Sequence, residues 1–85
     1  MTSYESADTL RELNDVFRSV FGDDDLTVTR STTAANIAAW DSLTHVTLIL
    51  TVEREFGVRF SSSEVAMLKD VGELVDIIDA RRTRR

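Results

Sequence analysis

Apolar side chains recur at helical spacing in several segments of the chain. The first segment, from about Ala7 to Phe21, ends just before Gly22, and glycine favours the left-handed conformation that terminates a helix. Its apolar residues follow a three-four spacing that places them on one face: Leu10, Leu13, Val16, Phe17 and Val20. The pattern therefore predicts an amphipathic helix over this segment.

A second helix is predicted from Ser42 to Phe56, with Asp41 as its N-cap and Gly57 as its stop. Its apolar positions form two stripes, and the first is spaced as a core face: Leu48, Ile49, Val52 and Phe56. The other stripe is turned about a third of the way round the helix: Leu43, Val46 and Leu50. A second stripe indicates either deeper burial or a surface on which a partner lands, and the pattern leaves both open.

The segment from Asp23 to Ala39 shows no sustained period and is predicted to be an extended loop. A loop this long in a small domain tends to be functional. Its apolar side chains are expected to anchor it on the core: Leu26, Val28, Ala34, Ala35 and Ile37.

Two capping boxes mark the starts of the last two helices, one at Ser61 with Glu64 and one at Asp70 with Glu73. A short helix follows the first box, and the last helix runs from the second box to about Arg81. The last helix turns four side chains inward: Val71, Leu74, Val75 and Ile78. The chain is thus predicted to be one all-α domain over residues 1–85, with three main helices and one short helix.

Composition and charge exclude several classes of protein. The chain has 85 residues, no cysteine and a net charge of −5, so it holds no disulfide, thiolate metal site or thiol nucleophile. The first residues lack the basic and apolar segments of a signal peptide, and no apolar stretch is long enough to span a bilayer. We therefore expect no membrane association and a cytoplasmic location.

The arginine cluster at the end of the chain is the exception to the acidic balance. An acidic chain disfavours nucleic-acid binding, because phosphate contacts need clustered Lys and Arg. We interpret the cluster as a solvated helix end, where cations are favourable, and a DNA-binding surface is the alternative. Its members are Arg81, Arg82, Arg84 and Arg85.

Candidate catalytic groups are few. His45 is the only histidine, which excludes a multi-histidine metal site within one chain. It lies three residues after Ser42, but a serine–histidine dyad also needs an orienting acid and an oxyanion site. We interpret His45 as a half-buried residue beside the second stripe. The carboxylates of residues 23–25 lack the alternate ligands of a calcium loop, so we expect no catalytic residue and no metal ligand.

Ser42 follows the Asp41 cap at the positive end of a helix, where free amides and the macrodipole favour an anion. The residues around it resemble the ordered motifs of acyl carrier proteins. Residues 41–43 resemble that family's D-S-L signature, and residues 46–58 its hydrophobic run and its L-E-E-E-F-G-I ending. Residues 70–75 resemble its T-V-G-D-L-V start of the last helix, and the detailed match covers residues 40–80.

The resemblance implies a four-helix bundle in which Ser42 carries a covalent 4′-phosphopantetheine arm. A phosphopantetheinyl transferase would attach the arm, with Asp41 supporting the transfer at Ser42. The arm would hold acyl groups as thioesters, and the chain would be a monomer and no enzyme. Its other partners would be acyl-loading and synthase enzymes of the ketosynthase, acyltransferase or ligase type. They would meet the side chains of Trp40, Leu43, Val46, Leu50 and Glu53.

The sequence departs from the fatty-acid-type pattern in its second helix. Thr47 stands where that type usually has a carboxylate, and Arg54 lies between Glu53 and Glu55. The steering charge is therefore reduced. The departure favours a discrete carrier for polyketide or related secondary-metabolite biosynthesis. The alternatives are a peptidyl or aminoacyl carrier of a nonribosomal pathway and an unloaded interaction module. Trp40 stands where a small residue is common, and it either shapes recognition or packs the loop.

Overall fold

The computed structural model describes residues 6–82 and places four α-helices in them. They are α1 (Ser6–Phe21), α2 (Ser42–Phe56), α3 (Ser62–Met67) and α4 (Val71–Arg82). Between residues 6 and 82 there is no strand, and no helix there is both long and apolar enough to cross a membrane. The predicted all-α bundle of three main helices and one short helix is confirmed.

The ends of α2 lie where the sequence predicts them. An Asp41 carboxylate oxygen accepts hydrogen bonds from the backbone N–H of Leu43 at 3.1 Å and of Thr44 at 3.0 Å. The Thr44 hydroxyl accepts in turn from the Asp41 N–H at 2.8 Å, which completes a capping box with threonine in the place of glutamate. Gly57 ends the helix with φ at +67°, a conformation that costs glycine little.

The two later helices differ in how far their predicted capping boxes form. At α3, Ser61 accepts from the Glu64 N–H at 3.2 Å and Glu64 accepts from the Ser61 N–H at 2.9 Å, as predicted. At α4, Asp70 accepts from the Glu73 N–H at 2.9 Å. The Glu73 carboxylate, however, accepts from the Lys69 N–H at 2.8 Å, one residue earlier than a capping box requires. Only one of the two hydrogen bonds predicted for the second capping box is therefore present.

The core lies between α1, α2 and α4, and each of these helices supplies fully buried side chains. Among these fully buried side chains are Leu13, Phe17, Leu48, Val52, Leu74 and Ile78. The predicted core stripe of α2 is confirmed for Leu48, Ile49 and Val52, which are buried, while Phe56 is half-buried and packs against the same cluster. Burial of this apolar surface is the main term that holds the helices together.

Hydrogen bonds from its backbone hold the loop between α1 and α2 against α1 and α4. The buried Asn14 side chain accepts from the Val28 N–H at 2.7 Å and donates to the Val28 carbonyl at 3.1 Å. Further along, the carbonyls of Arg30 and Thr32 accept from first-turn amides of α4. Such pairing satisfies backbone groups that would otherwise lack partners away from water.

Part of the expected loop packing is wrong. Val28 is buried and Leu26 and Ile37 pack half-buried on the core, but Ala34 and Ala35 are exposed. The two alanines lie in a 3₁₀ turn, Ala34–Asn36, and this turn faces solvent. A methyl group has little apolar area to bury, so packing does not force the turn inward.

Arg81 is exposed, as predicted for a solvated helix end, but it also has ion-pair partners that the sequence did not predict. This residue pairs with Glu64 of α3 through two contacts, of 2.9 and 2.5 Å. It also donates to the carbonyl of Arg59 at 2.7 Å. A two-point arginine–carboxylate contact has a defined geometry, so Arg81 fixes α3 against the end of α4.

The prediction of a solvated helix end is wrong for Arg82. Its side chain is only 10% exposed and pairs with Glu12 of α1 at 2.8 Å. Its guanidinium lies 4.9 Å from the centre of the Phe56 ring, within the range of a cation–π contact. Arg82 thus joins α4 to α1 and α2. Arg84 and Arg85 lie outside the described residues.

Candidate functional site

Ser42 is the first residue of α2, and it is exposed. It follows the capping residue directly, so its hydroxyl lies at the N-terminal end of a fifteen-residue helix. The Asp41 carboxylate already binds two of the first-turn amides, those of Leu43 and Thr44, but the helix macrodipole still places partial positive charge at this end. A phosphoryl group bonded to this hydroxyl would have a favourable electrostatic environment.

Asp41 places a fixed negative charge beside Ser42. The pKa of Asp41 is lowered because its carboxylate accepts hydrogen bonds from the Thr44 N–H and hydroxyl, with a further bond from the Leu43 N–H. These bonds favour the charged form of the carboxylate. The residue next to the exposed hydroxyl is therefore ionised at neutral pH.

A cleft of about 340 Å³ opens beside Ser42. It lies between the start of α2, the α3 helix and the segment that leads into α4. Aromatic, apolar and charged side chains line it together, among them Trp40, His45, Val65, Leu68, Lys69 and Asp70. The attachment candidate therefore borders a concave surface with room for part of a small molecule.

Trp40 packs on the core from the loop side. Its indole is half-buried, meets the Phe17 ring edge-on at a centroid distance of 5.3 Å and lies 6.3 Å from the Phe21 ring. The structure therefore supports the loop-packing interpretation of Trp40. Its contact with a partner enzyme stays a prediction.

His45 is half-buried, as predicted, and both of its ring nitrogens have partners. Nδ1 lies 3.0 Å from the indole nitrogen of Trp40, and Nε2 lies 3.0 Å from the Val65 carbonyl oxygen. This arrangement leaves neither nitrogen to accept a proton from Ser42, so it argues against a serine–histidine dyad. The sequence contained no signal for the contact with Val65, which is twenty residues away.

The second stripe of α2 lies on the surface. Leu43 is 79% exposed, Val46 53% and Leu50 58%; we call these three residues the α2 face. Of the two explanations that the pattern left open, the structure excludes deeper burial within the bundle. Glu53, one turn further on, accepts from the Phe60 N–H at 2.9 Å, so its carboxylate also holds the connection between α2 and α3.

Within residues 6–82, no group of three or more His, Cys, Asp or Glu side chains is placed to hold a metal ion. The chemistry that the described residues offer at this site is therefore an exposed hydroxyl at a helix start, an ionised neighbour and an adjacent cleft.

Comparisons with known proteins agree on one family. The protein-family model described as "Phosphopantetheine attachment site" matches residues 11–78. An acyl carrier protein of Coprothermobacter proteolyticus is 31% identical over 70 residues, which cover 82% of this chain and 85% of the relative. The solution structure of a holo acyl carrier protein from Geobacter metallireducens matches with a TM-score of 0.84 and 43% identity. That match covers 89% of this chain and 87% of the other.

The chain belongs to the acyl carrier protein family. Its function is to carry acyl groups on covalently bound phosphopantetheine. Acyl carrier proteins are carriers and not catalysts, and they interact with transferases and synthases. The resemblance drawn from the motifs of residues 40–80 is thereby confirmed.

Proposed function

We propose that Ser42 is the residue to which the phosphopantetheine arm is attached, and that the chain serves polyketide or related secondary-metabolite biosynthesis. The observation that carries the first half is the exposed Ser42 hydroxyl at the start of α2, directly after the Asp41 cap. The residues fit the group, since a phosphodiester at this hydroxyl would lie at the positive end of the helix. A transferase would reach the hydroxyl without moving any helix of the bundle.

Asp41 has a separate part in the proposal. Its carboxylate is ionised and lies next to the hydroxyl that would be modified. An incoming transferase that brings a divalent cation and coenzyme A would meet a carboxylate oxygen, the kind of ligand that Mg²⁺ prefers. We therefore assign to Asp41 the support of the transfer at Ser42, in addition to its role as the helix cap.

The second half of the proposal rests on the charge of α2. Residues 42–52 contain no Asp, Glu, Lys or Arg, and the exposed α2 face consists of leucine and valine. Electrostatic steering towards a cationic partner surface is weak without such charges. This composition supports a dedicated set of partners that recognises an apolar face.

The attachment site is tested by intact-mass measurement after incubation with coenzyme A, Mg²⁺ and a broad-specificity phosphopantetheinyl transferase. We expect one phosphopantetheinyl group on the wild-type protein and none on Ser42→Ala. Ser62→Ala is the matched control, because Ser62 is also an exposed serine that begins a helix after a capping residue. It should be loaded like the wild type, and loading of Ser42→Ala would show that the site is elsewhere.

The pathway is tested by identifying the acyl group on protein isolated from its native host. A polyketide intermediate would support the proposal. A series of saturated fatty acyl chains would overturn the secondary-metabolite assignment and leave the attachment site intact. An aminoacyl or peptidyl group would point to a nonribosomal pathway, and protein without an arm would favour the unloaded interaction module.

A further inference from the structure

Trp40, His45 and Val65 form a hydrogen-bonded bridge that runs from the loop through α2 to α3. The indole nitrogen of Trp40 lies 3.0 Å from Nδ1 of His45, and Nε2 of His45 lies 3.0 Å from the Val65 carbonyl oxygen. The indole and imidazole rings are stacked, with centroids 6.0 Å apart and planes inclined by 25°. All three residues line the cleft beside Ser42.

The chemistry of the two end groups fixes the proton on His45. An indole N–H can only donate, so Nδ1 has to be the acceptor and carries no proton. A neutral imidazole then has its proton on Nε2, which donates to the carbonyl of Val65. A charged imidazolium carries an N–H at both ring nitrogens, so its Nδ1–H would face the indole N–H of Trp40 with no acceptor between them. The bridge therefore fits only a neutral His45 in its Nε2–H form.

The short helix α3 depends on such outside contacts. It has six residues, and a helix of that length is unstable by itself in water. The Val65 carbonyl is among the last four of the helix, which have no intrahelical partner. The amide four residues on, that of Lys69, donates to Glu73 instead. His45 thus supplies the donor that this end of α3 lacks.

We propose that Trp40 and His45 are positioning residues for the cargo arm. Neutral His45, held in its Nε2–H form by Trp40, fastens the C-terminal end of α3 to α2 and so sets the width of the cleft beside Ser42. A thioester folded into that cleft is shielded from water only while the bridge is intact. The effect on cargo rests on the proposed attachment at Ser42, whereas the bridge itself is a property of the unloaded chain.

The first test uses the unloaded protein and imidazole ¹⁵N chemical shifts at neutral pH. The wild type should show an unprotonated Nδ1 and a protonated Nε2 at His45. Trp40→Phe keeps an aromatic ring but removes the indole N–H, so the preference for this tautomer should be lost. A wild-type ring with its proton on Nδ1 would overturn the inference, and no variant is needed for that result.

Amide hydrogen exchange in α3 then measures how firmly the helix is held. His45→Leu removes both hydrogen bonds, of which only the bond to the Val65 carbonyl reaches α3. Loss of that one net hydrogen bond should speed exchange of the residue 65–67 amides about fivefold. His45→Gln keeps a donor and an acceptor on one side chain and should restore most of the protection. Thr47→Val changes an exposed residue of α2 outside the bridge and should leave exchange unchanged. Equal exchange in His45→Leu and the wild type would overturn the inference.

The second test uses protein loaded with a short acyl chain and follows cleavage of its thioester by hydroxylamine. His45→Leu and Trp40→Phe should be cleaved several times faster than the wild type, and His45→Gln close to the wild-type rate. Unchanged cleavage beside altered exchange would reduce the bridge to a structural role and overturn the positioning claim. If the wild-type protein cannot be loaded at all, the attachment at Ser42 is contradicted, but the result on the unloaded chain still stands.

Discussion

Glu64 of α3 and Arg81 of α4 form a two-point ion pair with nitrogen–oxygen distances of 2.9 and 2.5 Å. The same Glu64 carboxylate accepts from the Ser61 N–H at 2.9 Å. The pKa of Glu64 is lowered to about 2, chiefly because Arg81 donates hydrogen bonds to the carboxylate and next because the Ser61 backbone does so. One carboxylate therefore joins the cap of the short helix to the end of the last helix.

This ion pair should make part of the free energy of unfolding depend on pH in the acidic range. The pKa of Glu64 is lower in the fold than its ordinary value of 4.5, so its contribution is present above that value and is lost as pH falls towards about 2. Urea denaturation from pH 7 to pH 2 should show Glu64→Gln less stable at pH 7 and less sensitive to acid. Glu55→Gln, on the exposed surface of α2, is the control and should keep the wild-type acid dependence. Identical curves for Glu64→Gln and the wild type would contradict the prediction.

Replacements of Asp41 should separate capping from loading. Asp41→Ala removes the acceptor for two backbone amides and should lower the urea midpoint, whereas Asp41→Asn keeps an oxygen acceptor and should lower it less. Both variants lose the carboxylate, so both should lower kcat/KM for the phosphopantetheinyl transferase. Wild-type loading of Asp41→Asn would show that the charge has no part in the transfer.

A methyl group at residue 72 should displace the loop. The Gly72 N–H donates to the Arg30 carbonyl at 2.8 Å, and an added Cβ would lie 2.9 Å from that backbone oxygen. We expect Gly72→Ala to destabilise the fold by about 1–3 kcal/mol, the usual cost of overpacking, as measured by urea denaturation. Amide chemical shifts should move mainly near Arg30 and the start of α4. An unchanged urea midpoint would contradict the prediction, because it would mean that the loop at Arg30 can shift without loss of stability.

Replacing two leucines of α2 with alanine should affect different properties, partner binding for one and stability for the other. Leu50 is exposed on the α2 face and Leu48 is fully buried. Leu50→Ala should leave the urea midpoint within about 0.5 kcal/mol of the wild type, yet raise KM for a partner synthase. Leu48→Ala should cost about 2–5 kcal/mol of stability. Partner kinetics that do not change in Leu50→Ala would argue against docking on this face.

The salt dependence of docking provides an independent check of the α2 face. A face of leucine and valine without fixed charge in residues 42–52 gains little from long-range attraction. The association rate with a partner synthase should therefore change little as salt rises from low to physiological concentration. A steep fall in that rate would point to a charged docking surface elsewhere on the bundle.

The Ser42 region shows how much of a site the sequence can specify. The start of α2 and its Asp41 cap follow from residues close together in the chain, and the structure bears them out. The exposure of the α2 face was decided by the structure, because the pattern left burial and exposure both open. The partners of His45 did not follow, because Val65 reaches it only after α3 folds back on α2. Attachment at Ser42 and contact of partners with the α2 face stay predictions until the loading and docking experiments are done.

The sequence by itself determined the number, extent and order of the helices, the core stripe of α2 and the family. These rest on local spacing, on caps and on motifs that lie close together in the chain. Only the tertiary structure decided that Arg81 and Arg82 hold the bundle together and that Ala34 and Ala35 face solvent. It also decided that His45 of α2 contacts the Val65 carbonyl of α3 beside Ser42. The physical reason is that such contacts join residues far apart in the chain, as with Arg82 and Glu12, which are seventy residues apart, and no local pattern encodes them.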